Sequence, residues 1–570
     1  MIMHKIVVGE NNVPKEENFD TIIVNTYFEI EDLNNISLIP ENSKYVKETL
    51  NLIDNGIKLL KDGGVLFVYG LPKYLSIFGV HLNNLSNDSS NFLFKYWIGI
   101  EFNKSQKYDV LHNKHVGLLM YLKTSSLKFP TPFNLNTKTI REKYKNCAFC
   151  NKNIRDWGGK KHLMNPLGSA FSDVWDYTNI NISECNNIPK KVIERIIALR
   201  EKDNSNILII RQNKIKVDVD YIQNRRLVPN TKEIPTEINE VYLGDCIEHL
   251  KKLKKEFPHG IFDLAFADPP YNLSKEYSNY EDSQLDKNYV VWCNEWLNAM
   301  YENLRPGGAL IVLNIPKWSL YHANSLLNKM NFQHWIIWDA LSTPAGKLLP
   351  AHYGLLYFTK PGGKITNNYE SIKEVDHRKY CLRLSCVKNR KDKNDNEKEN
   401  MGDVWKDIHR IKHRKDRDSH PCQLPIKLMD RIVKIFTNKG DLIYDPFGGA
   451  GTTAISAKKL GRNFILSELD PKYLVIINRN LSKLQPTLNG EFSYIRDPIK
   501  KSSKFLSIPK RTVEVRYLEI CKENQKVLEK EEIKMLNPYV FSLLEQYNGS
   551  FVKLKNICQR KFEAESLIAK

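Results

Sequence analysis

The sequence predicts an α/β fold in which a mostly parallel sheet, covered by helices on both faces, occurs twice in tandem and is followed by a small C-terminal extension. Short apolar runs that end at turn residues alternate with longer amphipathic stretches, the pattern of strand and crossover helix. The chain also repeats itself, in order, over most of its length. Its 570 residues, 42% apolar and 11% aromatic, supply more core than one domain of roughly 150 residues needs.

The repeat fixes the boundaries. Phe19 to Phe28 (FDTIIVNTYF) aligns with Phe262 to Tyr271 (FDLAFADPPY) at an offset of 243. Leu60 to Leu66 (LKDGGVL) answers Leu304 to Leu310 (LRPGGAL), and Pro72-Lys73-Tyr74 answers Pro316-Lys317-Trp318, both at 244. His115 to Leu119 then matches His352 to Leu356, Asp173-Val174-Trp175 matches Asp403-Val404-Trp405, and Pro189 with its basic-apolar helix matches Pro425. These six collinear matches define two copies, residues 1–215 and 238–482. Residues 216–237 join them, where Asn-Arg-Arg and Pro-rich dipeptides break periodicity, and residues 483–570 form the extension.

In the second copy the strands Leu264 to Ala267, Ala309 to Leu313 and Ile336 to Trp338 are expected, with a helix from about Asn288 to Asn303 between the first two. Asp268-Pro269-Pro270-Tyr271-Asn272 closes the first strand. Two prolines remove backbone donors and stiffen that turn, fixing an acid, a carbonyl and an aromatic ring around one small pocket. Asp445-Pro446-Phe447-Gly448-Gly449-Ala450-Gly451 follows the strand Leu442 to Tyr444 and opens a helix, so a ligand can approach the backbone there. No Gly-Lys-Ser/Thr follows, which argues against a phosphate-binding P-loop. About twenty residues on, the strand Phe464 to Ser467 ends in Glu468 and Asp470, acids placed to accept the hydroxyls of a ribose.

Together these residues resemble the amino-methylating class of S-adenosylmethionine-dependent DNA methyltransferases, in the permuted order that puts the catalytic motif before the cofactor motif. ADPPYN, LRPGGAL, HPCQLP, DPFGGAGTT and the acid-ended strand occur in that family's order and cover nearly all of residues 238–482. The resemblance implies two Rossmann-like methyltransferase domains in tandem, with S-adenosylmethionine as cofactor. It implies that Phe447, Gly449 and Gly451 shape the cofactor turn, that Glu468 holds the ribose, that His420 and Gln423 cup the methionine end, and that Asp245 borders the adenosyl ring. Asp268, Pro269, Pro270 and Tyr271 would hold the target base. An exocyclic amine is a poor nucleophile because its lone pair is delocalised, and an Asp carboxylate with a backbone carbonyl can free that lone pair by accepting both N–H bonds. No cysteine nucleophile occupies the Pro-Pro position, which argues against attack through a ring carbon. The base must be flipped out of the duplex and is expected to stack on Tyr271.

Residues 362–420 occupy the family's place for target recognition and carry 16 Lys and Arg against 11 acids. Arg410, Lys412, Arg414, Lys415 and Arg417 form the densest run, suited to phosphates and guanine edges. With 85 Lys plus Arg against 66 Asp plus Glu, the whole chain carries +19, and double-stranded DNA is the expected partner. The resulting expectation is a sequence-specific DNA methyltransferase, adenine N6 ahead of cytosine N4, serving a restriction-modification system with a cognate restriction endonuclease. Asp rather than Ser before Pro-Pro-Tyr resembles the adenine enzymes more often. RNA or protein methylation, or non-enzymatic DNA binding, are the rival readings.

The first copy lacks the working parts. Asn25-Thr26-Tyr27-Phe28 replaces Asp-Pro-Pro-Tyr, Arg211 to Lys214 replaces the glycine turn, and Glu184-Cys185 stands in place of His420-Pro421. It is expected to bind no cofactor and to serve as a non-catalytic partner. Ten cysteines are too few for a disulfide scaffold. Cys147, Cys150, Cys381 and Cys386 fall near repeat-equivalent positions and would make a zinc site if the copies pack face to face. Their unequal spacings make buried or free thiols the preferred reading, and no metal is assigned. No apolar run of about 18 residues and no secretory leader are present, so a cytoplasmic location without membrane contact is expected.

Overall fold

The computed structural model describes residues 3–8, 14, 18–29, 32, 38–39, 43–85, 91–103, 111–125, 135, 137, 141–154, 165–200, 206–214, 235–275, 280, 282–340, 348–369, 372–375, 379–381, 383–392, 398–408, 410–411, 423–486, 492–494, 510–537, 540–541, 544 and 551–568. The first copy runs β1 (Met3–Val8), β2 (Phe19–Asn25), α1 (Lys44–Lys58), β3 (Leu60–Gly70), α2 (Pro72–Asn84), β4 (Asn91–Asn103), β5 (His115–Thr124), β6 (Val174–Asn181), α3 (Lys190–Arg200) and β7 (Asn206–Arg211). The second runs β8 (Glu240–Leu243), α4 (Cys246–Glu256), β9 (Phe262–Ala267), α5 (Asp286–Asn303), β10 (Leu304–Asn314), α6 (Pro316–Leu326), β11 (Asn331–Asp339) and β12 (His352–Thr359). A small antiparallel pair, β13 (Lys373–Val375) with β14 (Lys398–Asn400), flanks α7 (Leu384–Asp392). Then come β15 (Val404–Trp405), α8 (Ile426–Phe436), β16 (Leu442–Asp445), α9 (Thr452–Lys459), β17 (Asn463–Glu468) and α10 (Pro471–Leu481).

The duplication is visible in the sheets. The first has the order β1-β7-β2-β3-β5-β4-β6 and the second β8-β17-β16-β9-β10-β12-β11-β15. In each, a parallel centre (β2 with β3, β9 with β10) meets an antiparallel strand (β5, β12), and the far edge closes with a parallel pair (β4 with β6, β11 with β15). The strands predicted from apolar runs are present and longer than expected, because their flanking residues also join the ladder. One strand separates the copies: β1 lies directly against β7, whereas β17 intervenes between β16 and β8.

The copies do not stand as separate domains. Met1–Ile495 forms one compact unit, and one cluster of buried side chains runs through both sheets. The contact is nearly symmetric. Trp97 of β4 and Trp335 of β11 stack with centroids 3.8 Å apart and planes 12° from parallel. Gly79 of α2 lets α6 approach, since a Cβ there would meet Leu320 Cδ2 at 2.7 Å. Asp173 accepts the backbone N–H groups of Ala351 (2.9 Å) and His352 (3.1 Å) across the contact. Asp403, its repeat partner, accepts that of Lys114 (2.8 Å) and lies 2.9 Å from His115 Nδ1. The matched DVW and HxGLL motifs thus build the interface between the copies. The two copies pack against each other through β4, β11, α2 and α6.

The boundary of the extension also shifts. Strands Leu484–Pro486 and Phe492–Tyr494 pair with each other and belong to the first unit, with Lys458 Nζ 6.0 Å from the Phe492 ring centroid. Arg496–Lys570 is the second unit. Its helices Lys510–Glu523, Lys530–Leu536 and Phe551–Ile568 pack around Tyr517, Ile520, Leu528, Ile533 and Leu554. Among the described residues no helix is long and apolar enough to cross a membrane.

Candidate active site

β9, β16 and β17 lie side by side and parallel, with β8 beyond them, so their carboxyl ends open on one edge of the sheet, where such folds place ligands. Asp268 follows β9, the glycine turn follows β16, Glu468 ends β17, and Gly244-Asp245 follows β8. Together they line a cavity of about 170 Å³, completed by Tyr280 and Trp292 on one wall and Gln423 and Leu424 on another.

Asp268 sits half-buried on this cavity. Burial pushes its carboxyl up to about 7, opposed by a hydrogen bond from Tyr271 and by the Lys275 charge. Tyr271 Oη donates to Asp268 Oδ1 at 2.6 Å, and the Tyr271 carbonyl accepts Trp318 Nε1 at 2.7 Å. The tyrosine ring is buried and its hydroxyl is hydrogen-bonded to the acid. The Pro270 carbonyl accepts Tyr289 Oη at 2.5 Å. The loop beyond is stapled by Asp282, whose carboxylate accepts the backbone N–H groups of Asn272 (2.7 Å), Leu273 (3.0 Å) and Lys275 (3.0 Å).

In the glycine turn, Gly451 has φ 79 and begins α9; a Cβ there would also press on Ile477 at 3.1 Å. Asp445 holds the turn from below, accepting the Phe447 N–H (2.9 Å) and the Thr453 hydroxyl (2.5 Å). Burial raises the Asp445 carboxyl to about 8 against those hydrogen bonds. Phe447 packs on Trp292 and Trp296 with centroids 5.7 and 5.4 Å away. Glu468 accepts the N–H groups of Gly449 (2.7 Å) and Asp470 (2.9 Å), one on each oxygen, and burial raises its proton affinity. Asp470 caps α10 through Oδ1 (2.9 Å to Lys472 N), while its buried Oδ2 has no hydrogen-bond partner among the described residues.

Asp245 lines the cavity and also caps α4, accepting the N–H groups of Ile247 (2.9 Å) and Glu248 (3.0 Å) on one oxygen. Gln423 lines the cavity. Arg410 donates its backbone N–H to Ala340 (3.3 Å), and its Nη1 lies 3.5 Å from Tyr353 Oη, whose ring centroid is 6.0 Å from that of Tyr271. His420, Lys412, Arg414, Lys415 and Arg417 lie outside the described residues. Tyr280, Trp292 and the Asp282 staple are not apparent from the motifs alone. Trp292 reads in the sequence as one more apolar position of a helix, and Asp282 has no motif of its own.

The corresponding edge of the first copy is knitted shut. Asn25, in place of Asp268, donates to Asn187 Oδ1 (3.0 Å) and accepts the Ile188 N–H (3.0 Å). Gln212, where the glycine turn would begin, accepts the Tyr27 N–H (2.9 Å) and donates to Thr49 Oγ1 (2.7 Å).

Comparison with known proteins points to the second copy. The family model described as DNA methylase, for N6 and N4 enzymes, matches residues 262–479, all within the second copy. Type II methyltransferase M.BamHI of Bacillus amyloliquefaciens is 37% identical over 241 residues, 41% of this chain and 55% of that protein. Type II methyltransferase M.HpaI of Haemophilus parainfluenzae is 30% identical over 269 residues, 46% of this chain and 80% of that one. DNA adenine methyltransferase YhdJ of Escherichia coli (strain K12) is 27% identical over 253 residues, 43% and 83% of the two chains. The chain thus spans about half the length of M.BamHI and most of the other two. On these matches the chain belongs to the N6/N4 DNA methylase family.

Proposed function

We propose that this protein transfers a methyl group from S-adenosylmethionine to the exocyclic amine of a base in double-stranded DNA, adenine N6 ahead of cytosine N4, as the modification enzyme of a restriction-modification system. The observation that supports this most is the convergence of Asp268, Pro269 and Pro270, the glycine turn and Glu468 on one cavity. The type II relatives favour the restriction-modification role. Asp268 in place of Ser, and a relative named as an adenine methyltransferase, favour adenine.

The residues present fit the cofactor. The partnerless Asp470 Oδ2 and the remaining lone pairs of Glu468 offer acceptors to hydroxyls, while Phe447 and Trp292 offer apolar and aromatic surface. S-adenosylmethionine, when bound, supplies an electrophilic methyl group on a sulfonium. Asp268 in its ionised form accepts one N–H of the target amine on Oδ2, with Oδ1 held by Tyr271, and a backbone carbonyl of the Asp268–Pro270 turn, whose residues line the cavity, accepts the other. Both bonds draw the nitrogen towards tetrahedral geometry and stabilise the positive charge that develops on it. The methylated amine must then shed one proton, and Asp268, with its proton affinity near neutral pH, is placed to receive it. The first copy is assigned a non-catalytic role that widens the DNA-binding surface.

The test is mass analysis of nucleosides from duplex DNA incubated with the protein and S-adenosylmethionine. N6-methyladenine is the expected product. N4-methylcytosine would keep the chemistry and change the base. Neither product on any duplex, with methylation of RNA or protein instead, would overturn the reading. Asp268→Ala should abolish transfer while cofactor binding persists.

A further inference from the structure

Cys147 and Cys150 lie in the first copy on a turn beyond β5; Cys381 and Cys386 lie in the second, beyond β12, the strand that corresponds to β5. Packing of the copies brings all four together. Cys147 Sγ is 3.8 Å from Cys386 Sγ, Cys150 Sγ is 3.6 Å from Cys381 Sγ, and all four sulfurs lie within 4.8 Å of one another. No pair is at disulfide distance, which is about 2.05 Å. A tetrahedral ion with Zn–S bonds of about 2.3 Å holds its sulfurs about 3.8 Å apart, close to the spacing of the Cys147–Cys386 and Cys150–Cys381 pairs and within reach of the others. Larger iron–sulfur clusters would need the thiols spread more widely.

We propose that Cys147, Cys150, Cys381 and Cys386 bind one zinc ion that clamps the two copies together. The surroundings are built for it. The turn is tight: the Cys147 N–H donates to Lys152 O (2.7 Å), the Asn151 N–H donates to Cys147 O (2.9 Å), and Asn151 takes φ 52. This turns both sulfurs of the Cys-x-x-Cys pair towards one point. The second copy completes the shell from across the interface. The Ala148 N–H donates to Lys379 O (2.8 Å), and the Cys381 N–H is aimed at Cys147 Sγ at 3.3 Å. Cys147, Cys381 and Cys386 are buried, with Phe149, Ile154 and Tyr380 packed around them. A second observation points the same way. Arg390 is buried, and its Nη1 donates to Cys386 Sγ (3.2 Å) and to Cys381 O (3.0 Å). A guanidinium aimed at a sulfur is costly beside neutral thiols and favourable beside a metal tetrathiolate, whose net charge is −2.

On binding, four S–H bonds break, four Zn–S bonds form and four protons leave to solvent, so the site loads more tightly as pH rises. None of the four cysteines lines the active-site cavity; the ion's task is to hold the copies together, and the site stands independently of the proposed methyl transfer.

The full-length protein, purified without chelator, should carry about one zinc per chain by elemental analysis. Replacement by cobalt should give the visible ligand-field bands and sulfur-to-metal charge transfer of a tetrahedral tetrathiolate. Cys150→Ser and Cys386→Ser should each lose the metal. Where a variant fails to fold, titrating the wild-type thiols with a mercurial reads the same site, releasing one zinc as these four react. A chain without zinc whose four thiols react equally fast with and without chelator would overturn the proposal. So would iron in place of zinc, or disulfides joining Cys147 to Cys386 and Cys150 to Cys381 in the native protein.

Discussion

Asp173 and Asp403 hold matching positions in the two copies, yet their surroundings give them opposite charge states. Burial pushes the Asp173 carboxyl up to about 8, and the Asp339 charge adds to the rise, although the Ala351 and His352 amides oppose it. Burial acts on Asp403 as well, but His115 and His334 outweigh it and hold that carboxyl well below the usual range. At pH 7 Asp173 is therefore neutral in the folded protein. An unfolded chain, with an Asp pKa of about 3.9, does not carry that proton, so folding takes it up at a cost of about 4 kcal/mol. The stability involved is present below the unfolded value and lost as pH rises towards about 8. Asn keeps the acceptor without needing the proton, so Asp173→Asn should raise stability at pH 7 by up to about 4 kcal/mol, with the gain vanishing near pH 4. Asp403→Asn should do the reverse. It leaves His115 without its anion and should cost about 3–5 kcal/mol at neutral pH, a loss that shrinks once pH falls below the unfolded value. Urea unfolding midpoints measured from pH 4 to 8, at unchanged m-value, separate the two. Equal destabilisation by both variants, or an Asp173→Asn effect independent of pH, would refute the assignment.

Other consequences are as direct. The proposed methyl transfer requires Asp268 ionised, so on that proposal kcat/KM should fall on the acid side through about pH 7, and Asp268→Asn should lose about 100-fold or more of the turnover along with that limb. Gly451→Ala forces a side chain into a left-handed conformation against Ile477; a stability loss of about 1–2 kcal/mol and weaker S-adenosylmethionine binding by calorimetry are expected. Trp97→Ala removes a fully buried ring from the stacked pair between the copies, and chemical denaturation should show a loss of about 3–5 kcal/mol in a single transition spanning both copies. A separate early transition for residues of the first copy would show that the copies unfold independently.

Much of this was legible in the amino-acid order, for identifiable reasons. β9, β10, β16 and β17 are continuous apolar runs because both sheet faces are covered, and their ends are marked by Pro-Pro, Gly-Gly or an acid. Such punctuation survives in one dimension. The repeat matches likewise pointed to two copies of one topology. How the copies meet was less accessible, because Trp97 and Trp335 each read as an ordinary strand residue until the sheets are docked. The direct pairing of β1 with β7 was also hidden, since no motif marks which strands are neighbours. At the site, Asp268 and Glu468 declared themselves through motifs. Asp245 carries a helix-capping duty that the motif does not reveal, and the bond from Tyr271 to Asp268 depends on a rotamer that no spacing encodes.

The contact built on Trp97, Trp335, Asp173 and Asp403 has a further consequence because both of its surfaces belong to one polypeptide. A homodimer joined by the same surfaces would come apart on dilution, and its stability would depend on protomer concentration. Here the partner is always present in equal stoichiometry, so the paired state should persist at any dilution at which the chain itself stays folded. Covalent joining also releases the two surfaces from self-complementarity: in a two-fold dimer every substitution appears twice, whereas here each half can change alone. Asp173 and Asp403, the same residue in both copies, already meet different neighbours at the seam: two backbone amides for one, a histidine ring for the other.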